Sequence, residues 1–133
     1  SAVKMLVNVL SVDIDRQLAF YQGLFGFAEI ERSRSPIYRA LDTGESELGF
    51  NAPAARDLLS LPPAGPAPGV DVFATFVLDG PGAVDAAAAR AVELGGLQLK
   101  PPFRTYYGQW QAVLADPEGH VFRVASLTLP AGA

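Results

Sequence analysis

One pattern of elements occurs twice along the chain, and this duplication limits the available folds more than any other feature. Residues 5–12 are β-rich and apolar on both faces, as in a strand covered on both sides. Asp13 stands where a helix N-cap belongs. Residues 14–25 then carry Leu18, Tyr21, Leu24 and Phe25 at helical spacing until Gly26 stops the helix. Three shorter strand-like pieces follow at 27–32, 38–41 and 47–51, separated by Gly, Ser, Pro and Asp. The order then returns. An apolar strand spans 70–78, and Asp79-Gly80-Pro81-Gly82 opens a helix carrying Val84, Ala87, Ala88, Ala91 and Leu94. Gly95-Gly96 ends it, and strand-like pieces follow at 97–100, 109–114 and 120–127. The turn Asp116-Pro117-Glu118-Gly119 has Pro second and Gly fourth, as a type I turn favours. The first strands of the two copies start about 65 residues apart, which fits a duplicated unit.

A βαβββ unit alone leaves one face of its sheet bare. Two such units side by side can curl their sheets into a shared concave cup and pack their helices outside. The expected fold is therefore α+β, with two tandem βαβββ modules forming a curved mixed-sheet cup. Residues 1–133 read as one domain, with modules at 3–53 and 70–128 and a linker at 54–69. The linker holds the run Leu61-Pro62-Pro63-Ala64-Gly65-Pro66-Ala67-Pro68-Gly69, after a short helical stretch at 54–61. A small-molecule ligand would sit in the cup.

Composition narrows the function classes. The 133 residues are 50% hydrophobic, enough for one good core. The absence of cysteine excludes disulfides and thiolate metal sites. A net charge of -4 with scattered Lys and Arg speaks against a nucleic-acid partner. Charged residues are only 18%, so apolar surface must be hidden by the core, a subunit interface or a ligand cavity. Neither a leader-like segment nor an apolar run of about 18 residues stands out, so no membrane partner and a cytoplasmic location are expected.

Three stretches resemble the vicinal-oxygen-chelate superfamily, which contains glyoxalases, bleomycin-resistance proteins and extradiol dioxygenases. The first is Asp13, Arg16, Leu18, Phe20 and Tyr21 with the stop Leu24-Phe25-Gly26-Phe27. The second is the helix from Val84 to Ala91 with Leu94-Gly95-Gly96. The third is Tyr107-Gly108-Gln109-Trp110 followed by Ala115-Asp116-Pro117-Glu118-Gly119-His120. Together they cover nearly the whole chain in the right order. The resemblance implies paired βαβββ modules and a homodimer.

In metal-dependent members of that superfamily, up to four His or Glu ligands line the cup. Carried over by spacing, the four positions fall at Leu6, Glu47, Phe73 and Arg123; a shift at the third would reach Thr75 or Asp71. Only Glu47 is a metal-ligand type, and Arg123 would put a permanent cation where a metal's charge belongs. No metal and no cofactor are therefore expected. The lone histidine, His120, reads as a turn residue rather than a base or ligand.

Glu47 and Arg123 are expected to pair in the place of the metal, or to remain structural charges. Asn8, Tyr38, Phe50, Phe73, Thr75, Tyr107 and Trp110 complete the candidate ligand site, an apolar and aromatic pocket with few polar anchors. The alternative for each aromatic is core packing. No nucleophile with an adjacent base, phosphate loop or carboxylate pair is evident, so no catalytic residue is assigned. The leading expectation is a glyoxalase/bleomycin-resistance-like protein that binds a small aromatic or anionic molecule without a protein-bound metal. The alternatives are a superfamily enzyme, of lyase or dioxygenase type, with metal-free chemistry or a displaced metal, and a purely structural module.

Overall fold

The computed structural model describes residues 4–62, 69, 70 and 72–133. The chain divides into two compact units, 1–68 and 69–133. Each contains one four-stranded mixed sheet and a long helix, an α+β arrangement of two βαβββ modules.

In the first unit, β1 (Leu6–Leu10) leads to α1 (Ile14–Phe25), then β2 (Ala28–Glu29), a 3-10 turn (Glu31–Ser33), β3 (Tyr38–Asp42) and β4 (Glu47–Asn51). The strand order is β1-β4-β3-β2. β4 lies parallel to β1 and antiparallel to β3. Helix α1 starts where the Asp13 carboxylate accepts the Arg16 N–H at 3.0 Å, satisfying one orphan donor of the first turn. It stops at Gly26, whose φ of 74° is left-handed and suits glycine. Its inner face buries Ile14, Leu18, Phe20 and Tyr21. Tyr21 stacks on Phe50 with ring centroids 5.5 Å apart and planes at 23°.

The piece expected at 27–32 pairs for only two residues. Beyond it the Ser33 hydroxyl and amide both donate to the Ile30 carbonyl, and this local bonding draws the chain out of the ladder. Arg39 then ties three elements together. Its Nη1 donates to Asp15 on α1 at 2.9 Å, while Nη2 and Nε hold the two oxygens of Glu29 at 2.7 and 3.0 Å. Arg34 also pairs with Glu29. The hydrogen bonds from Arg34 and Arg39 pull the Glu29 carboxyl down from 4.5 to about 2.

Because the folded pKa is depressed, this stabilisation is present above about pH 4.5 and fades as the pH falls toward about 2. Only 8% of the Glu29 side chain is exposed, but Arg34 is half in solvent, so the contribution is about 1–2 kcal/mol. Glu29→Gln should lower the urea midpoint at neutral pH and converge with wild type near pH 2. A constant gap across the acid range would contradict this.

In the second unit, β5 (Ala74–Val77) precedes α3 (Pro81–Glu93), β6 (Leu97–Arg104), β7 (Trp110–Ala115) and β8 (Val121–Ser126), in sheet order β5-β8-β7-β6. The short helix α2 (Ala55–Leu58) lies in the stretch read as linker, and 63–68 of that stretch fall outside the described residues. Pro81 opens α3, where its missing N–H costs nothing. Val84, Ala87, Ala88 and Ala91 form the buried face of α3, which packs on β6, β7 and β8.

Strand β5 is shorter than the 70–78 expected. Its parallel partner β8 begins only at Val121, after the turn anchored by Asp116, so the ladder runs out beyond Ala74. Strand β6 is longer than the 97–100 expected and runs through Pro101 and Pro102. As an edge strand it tolerates prolines, and its register shifts between Gln98, Lys100 and Phe103.

Candidate functional site

Side chains alternate across a strand, so the registers sort every candidate onto one face or the other. In the first module Leu6 is level with Glu47, Asn8 with Gly49 and Leu10 with Asn51, while Tyr38 is level with Asn51 across the next ladder. Asn8, Tyr38 and Glu47 therefore share the face turned away from α1. Phe50 is three residues from Glu47 and belongs to the opposite face, fully buried against Tyr21. It is a core residue and leaves the candidate set.

On the shared face the Glu47 carboxylate is largely buried, its side chain 11% exposed. The sequence suggests Arg123 as its countercharge; within its own module the structure supplies Lys4, at 2.6 Å, and Arg32, at 4.0 Å. Tyr38 lies flat across β4. A Cβ built on Gly49 would come within 2.7 and 2.8 Å of its ring carbons, so any larger residue there requires the ring to move aside. Burial, and secondarily the charge of Glu47, push the Tyr38 hydroxyl above its ordinary pKa. Asn51 donates to the Asn8 side-chain carbonyl at 3.1 Å.

In the second module Thr75 is level with Arg123, and Val113 faces Arg123 from the other side. The Arg123 Nε donates to the Thr75 hydroxyl at 2.9 Å. Its Nη1 donates to Gln111 Oε1 at 3.2 Å and, more weakly, to the Tyr107 hydroxyl at 3.4 Å. The guanidinium carbon stands 5.2 Å from the centroid of the Phe73 ring. All of these partners are neutral. Among the described residues no carboxylate lies within ion-pair distance of Arg123.

Trp110 has the opposite parity to Gln111 and Val113. Its indole N–H donates to Asp85 on α3 at 2.9 Å, so it braces the helix side of the sheet and also leaves the candidate set. The structure thus groups Asn8, Tyr38 and Glu47 in one module, and Phe73, Thr75, Tyr107 and Arg123 in the other.

Three participants escape the sequence reading. Lys4 lies two residues before Leu6, and alternation alone would have put it on the Glu47 face. Gln111 is a polar residue within the otherwise apolar strand Trp110–Ala115, and that polarity was its signal. Arg32 reaches Glu47 from the 3-10 turn, which no periodicity announces.

These side chains do not suit a divalent metal. Of the positions at Leu6, Glu47, Phe73 and Arg123, two are hydrocarbon and one is a fixed cation. The single carboxylate is already engaged by Lys4 and Arg32. Thr75, reached by shifting the third position, is engaged by Arg123; Asp71 lies outside the described residues. No group of three His, Cys, Asp or Glu able to hold a metal occurs among the described residues. His120 lies in the turn organised by the buried Asp116, whose carboxylate accepts the backbone N–H groups of Glu118 and His120 at 2.9 and 3.0 Å.

Comparisons with known proteins bear on the family and the fold. Residues 6–124 match the profile of the Glyoxalase/Bleomycin resistance protein/Dioxygenase superfamily. A crystal structure of a glyoxalase/bleomycin resistance protein/dioxygenase family enzyme from Burkholderia phytofirmans PsJN is 44% identical, with a TM-score of 0.87, covering 92% of this chain and 96% of that one. A lactoylglutathione lyase from Agrobacterium tumefaciens is similar in fold, at 21% identity and a TM-score of 0.69, over 95% of this chain and 93% of that one. The fosfomycin resistance protein FosX from Mesorhizobium loti is similar in fold at 16% identity and a TM-score of 0.69, over 96% and 93% of the two chains. No curated protein sequence matches the chain significantly.

Proposed function

Because this chain belongs to the glyoxalase/bleomycin resistance protein/dioxygenase superfamily, we propose that it binds a small, flat, anionic molecule at Arg123 without a protein-bound metal. The observation that carries this reading is the company Arg123 keeps. A half-buried guanidinium among Thr75, Gln111, Tyr107 and Phe73 has hydrogen bonds but no countercharge among the described residues. Desolvating a cation is costly, and an incoming oxyanion recovers that cost through charge-assisted hydrogen bonds. Phe73 and Tyr107, both about half exposed, add aromatic surface for a planar ligand. Glu47 plays no such role for cations, because Lys4 and Arg32 already neutralise it.

The test is a thermal-shift screen of aromatic carboxylates, neutral aromatics and aromatic cations, since a ligand that binds only the folded protein raises its apparent stability. Acids should raise Tm, and Arg123→Met should weaken their binding by about 10–100-fold, the worth of a lost hydrogen bond to a charged group. A response confined to cations, or stoichiometric zinc, iron, manganese or nickel surviving dialysis, would overturn the reading.

A second reading, an enzyme of the superfamily, is favoured by the 44% identical relative, whose description calls it an enzyme. Turnover of a bound acid by the purified protein would establish it.

A further inference from the structure

Gln111 is 2% exposed, although its amide lies in the middle of the polar cluster. Its orientation is fixed by its neighbour. A guanidinium can only donate, so the amide atom facing Arg123 Nη1 at 3.2 Å must be the oxygen. The amide nitrogen is thereby turned toward Tyr107 and Gln109, donating to the Tyr107 hydroxyl at 2.9 Å and to Gln109 Oε1 at 3.0 Å. The direction of bonding then runs outward. The Tyr107 oxygen receives N–H groups from Gln111 and Arg123, so its own proton is free to point away from both. The Thr75 oxygen receives Arg123 Nε–H, which leaves its proton free in the same way. Neither hydroxyl proton, nor either N–H of Arg123 Nη2, has an acceptor among the described residues.

We propose that Gln111 determines specificity by turning the donors of Tyr107 and Arg123 outward, so that the cluster, in which only Thr75 keeps a spare hydroxyl lone pair, takes a deprotonated oxyanion in preference to the corresponding amide. The proposal rests on the reading of Arg123 as the anion anchor and adds a selection rule to it. A carboxylate or phosphonate offers only acceptors to the outward-pointing N–H and O–H groups. An amide of the same shape turns its NH2 toward one of those donors and leaves a polar group unsatisfied. Gln111 touches no ligand in this scheme. It is a positioning residue, acting through Tyr107 and Arg123.

Benzoate, benzamide and benzamidinium form a matched set of probes, compared by NMR titration of the full chain. Wild type should bind benzoate about tenfold or more tightly than benzamide, the factor expected from one unmade hydrogen bond. Gln111→Leu, with an unchanged circular dichroism spectrum, should lower that ratio several-fold while keeping it above one, because the Arg123 charge remains. Gln111→Glu should place a carboxylate against Arg123 and abolish benzoate binding, and benzamidinium should bind neither protein. Gln111 is buried, so Tyr107→Phe provides a second variant at an exposed side chain; losing one outward donor should lower the ratio several-fold. An unchanged ratio in the variants overturns the selection rule and leaves the anion anchor standing, whereas equal binding of benzoate and benzamide by wild type removes the anchor as well. Binding of neither probe overturns both.

Discussion

Phe50→Ala should lower the free energy of unfolding by about 3–5 kcal/mol, the usual cost of removing a fully buried aromatic ring. Phe50 has no exposed surface, and its ring stacks on Tyr21 at 5.5 Å between centroids. Tyr21 is in turn edge-on to Phe20 at 5.0 Å, so the deletion opens a hole in the seam between α1 and the first sheet. A small domain is stable by only about 5–15 kcal/mol, so the variant should unfold at markedly lower urea. Urea titration followed by circular dichroism measures this. A loss below about 1 kcal/mol would mean that the ring is not a core element and would return Phe50 to the ligand candidates.

Gly49→Ala is the second effect, at about 1 kcal/mol, the low end for overpacking, because the obstacle is the far end of the half-exposed Tyr38 side chain. The added methyl would stand 2.7–2.8 Å from the Tyr38 ring carbons, closer than two carbons can settle. Tyr38 must swing off β4, and the burial that raises its hydroxyl pKa goes with it. Pairing the change with Tyr38→Ala removes the obstacle. The double variant should therefore be more stable than the sum of the two single losses predicts, a coupling of about 0.5–1 kcal/mol. Strict additivity would show that the ring and the glycine do not compete for space. A spectroscopic titration of Gly49→Ala should also place the Tyr38 hydroxyl closer to the ordinary value for tyrosine.

The duplicated order of elements was legible because it depends on period and punctuation, which are properties of the sequence alone. Helix α1 occupies the expected residues 14–25, its start and stop both written locally by Asp13 and Gly26. The misjudged ends depend on partners. Strand β5 stays within the span of β8, and β6 passes two prolines because it lies at an edge. For the site, the residue types were visible but the faces were not applied consistently. Glu47 and Phe50 differ by an odd number of positions, so a single strand cannot aim both at one ligand. Trp110 fails in the same way beside Gln111. Lys4 and Arg32 show what spacing cannot give, since a countercharge is chosen by tertiary proximity from among ten Lys and Arg in the chain.

The bond between Trp110 and Asp85 has a practical consequence. Trp110 is the only tryptophan in the chain, and its indole is fastened to helix α3 on the side of the sheet facing away from Arg123. Its emission is therefore an intrinsic gauge of whether the second module is assembled. It is also shielded by the sheet from direct quenching by anything that settles on the opposite face. Melting of one half of the duplication can be followed without a label, even while an acid that does not absorb tryptophan emission occupies the other side of the same sheet.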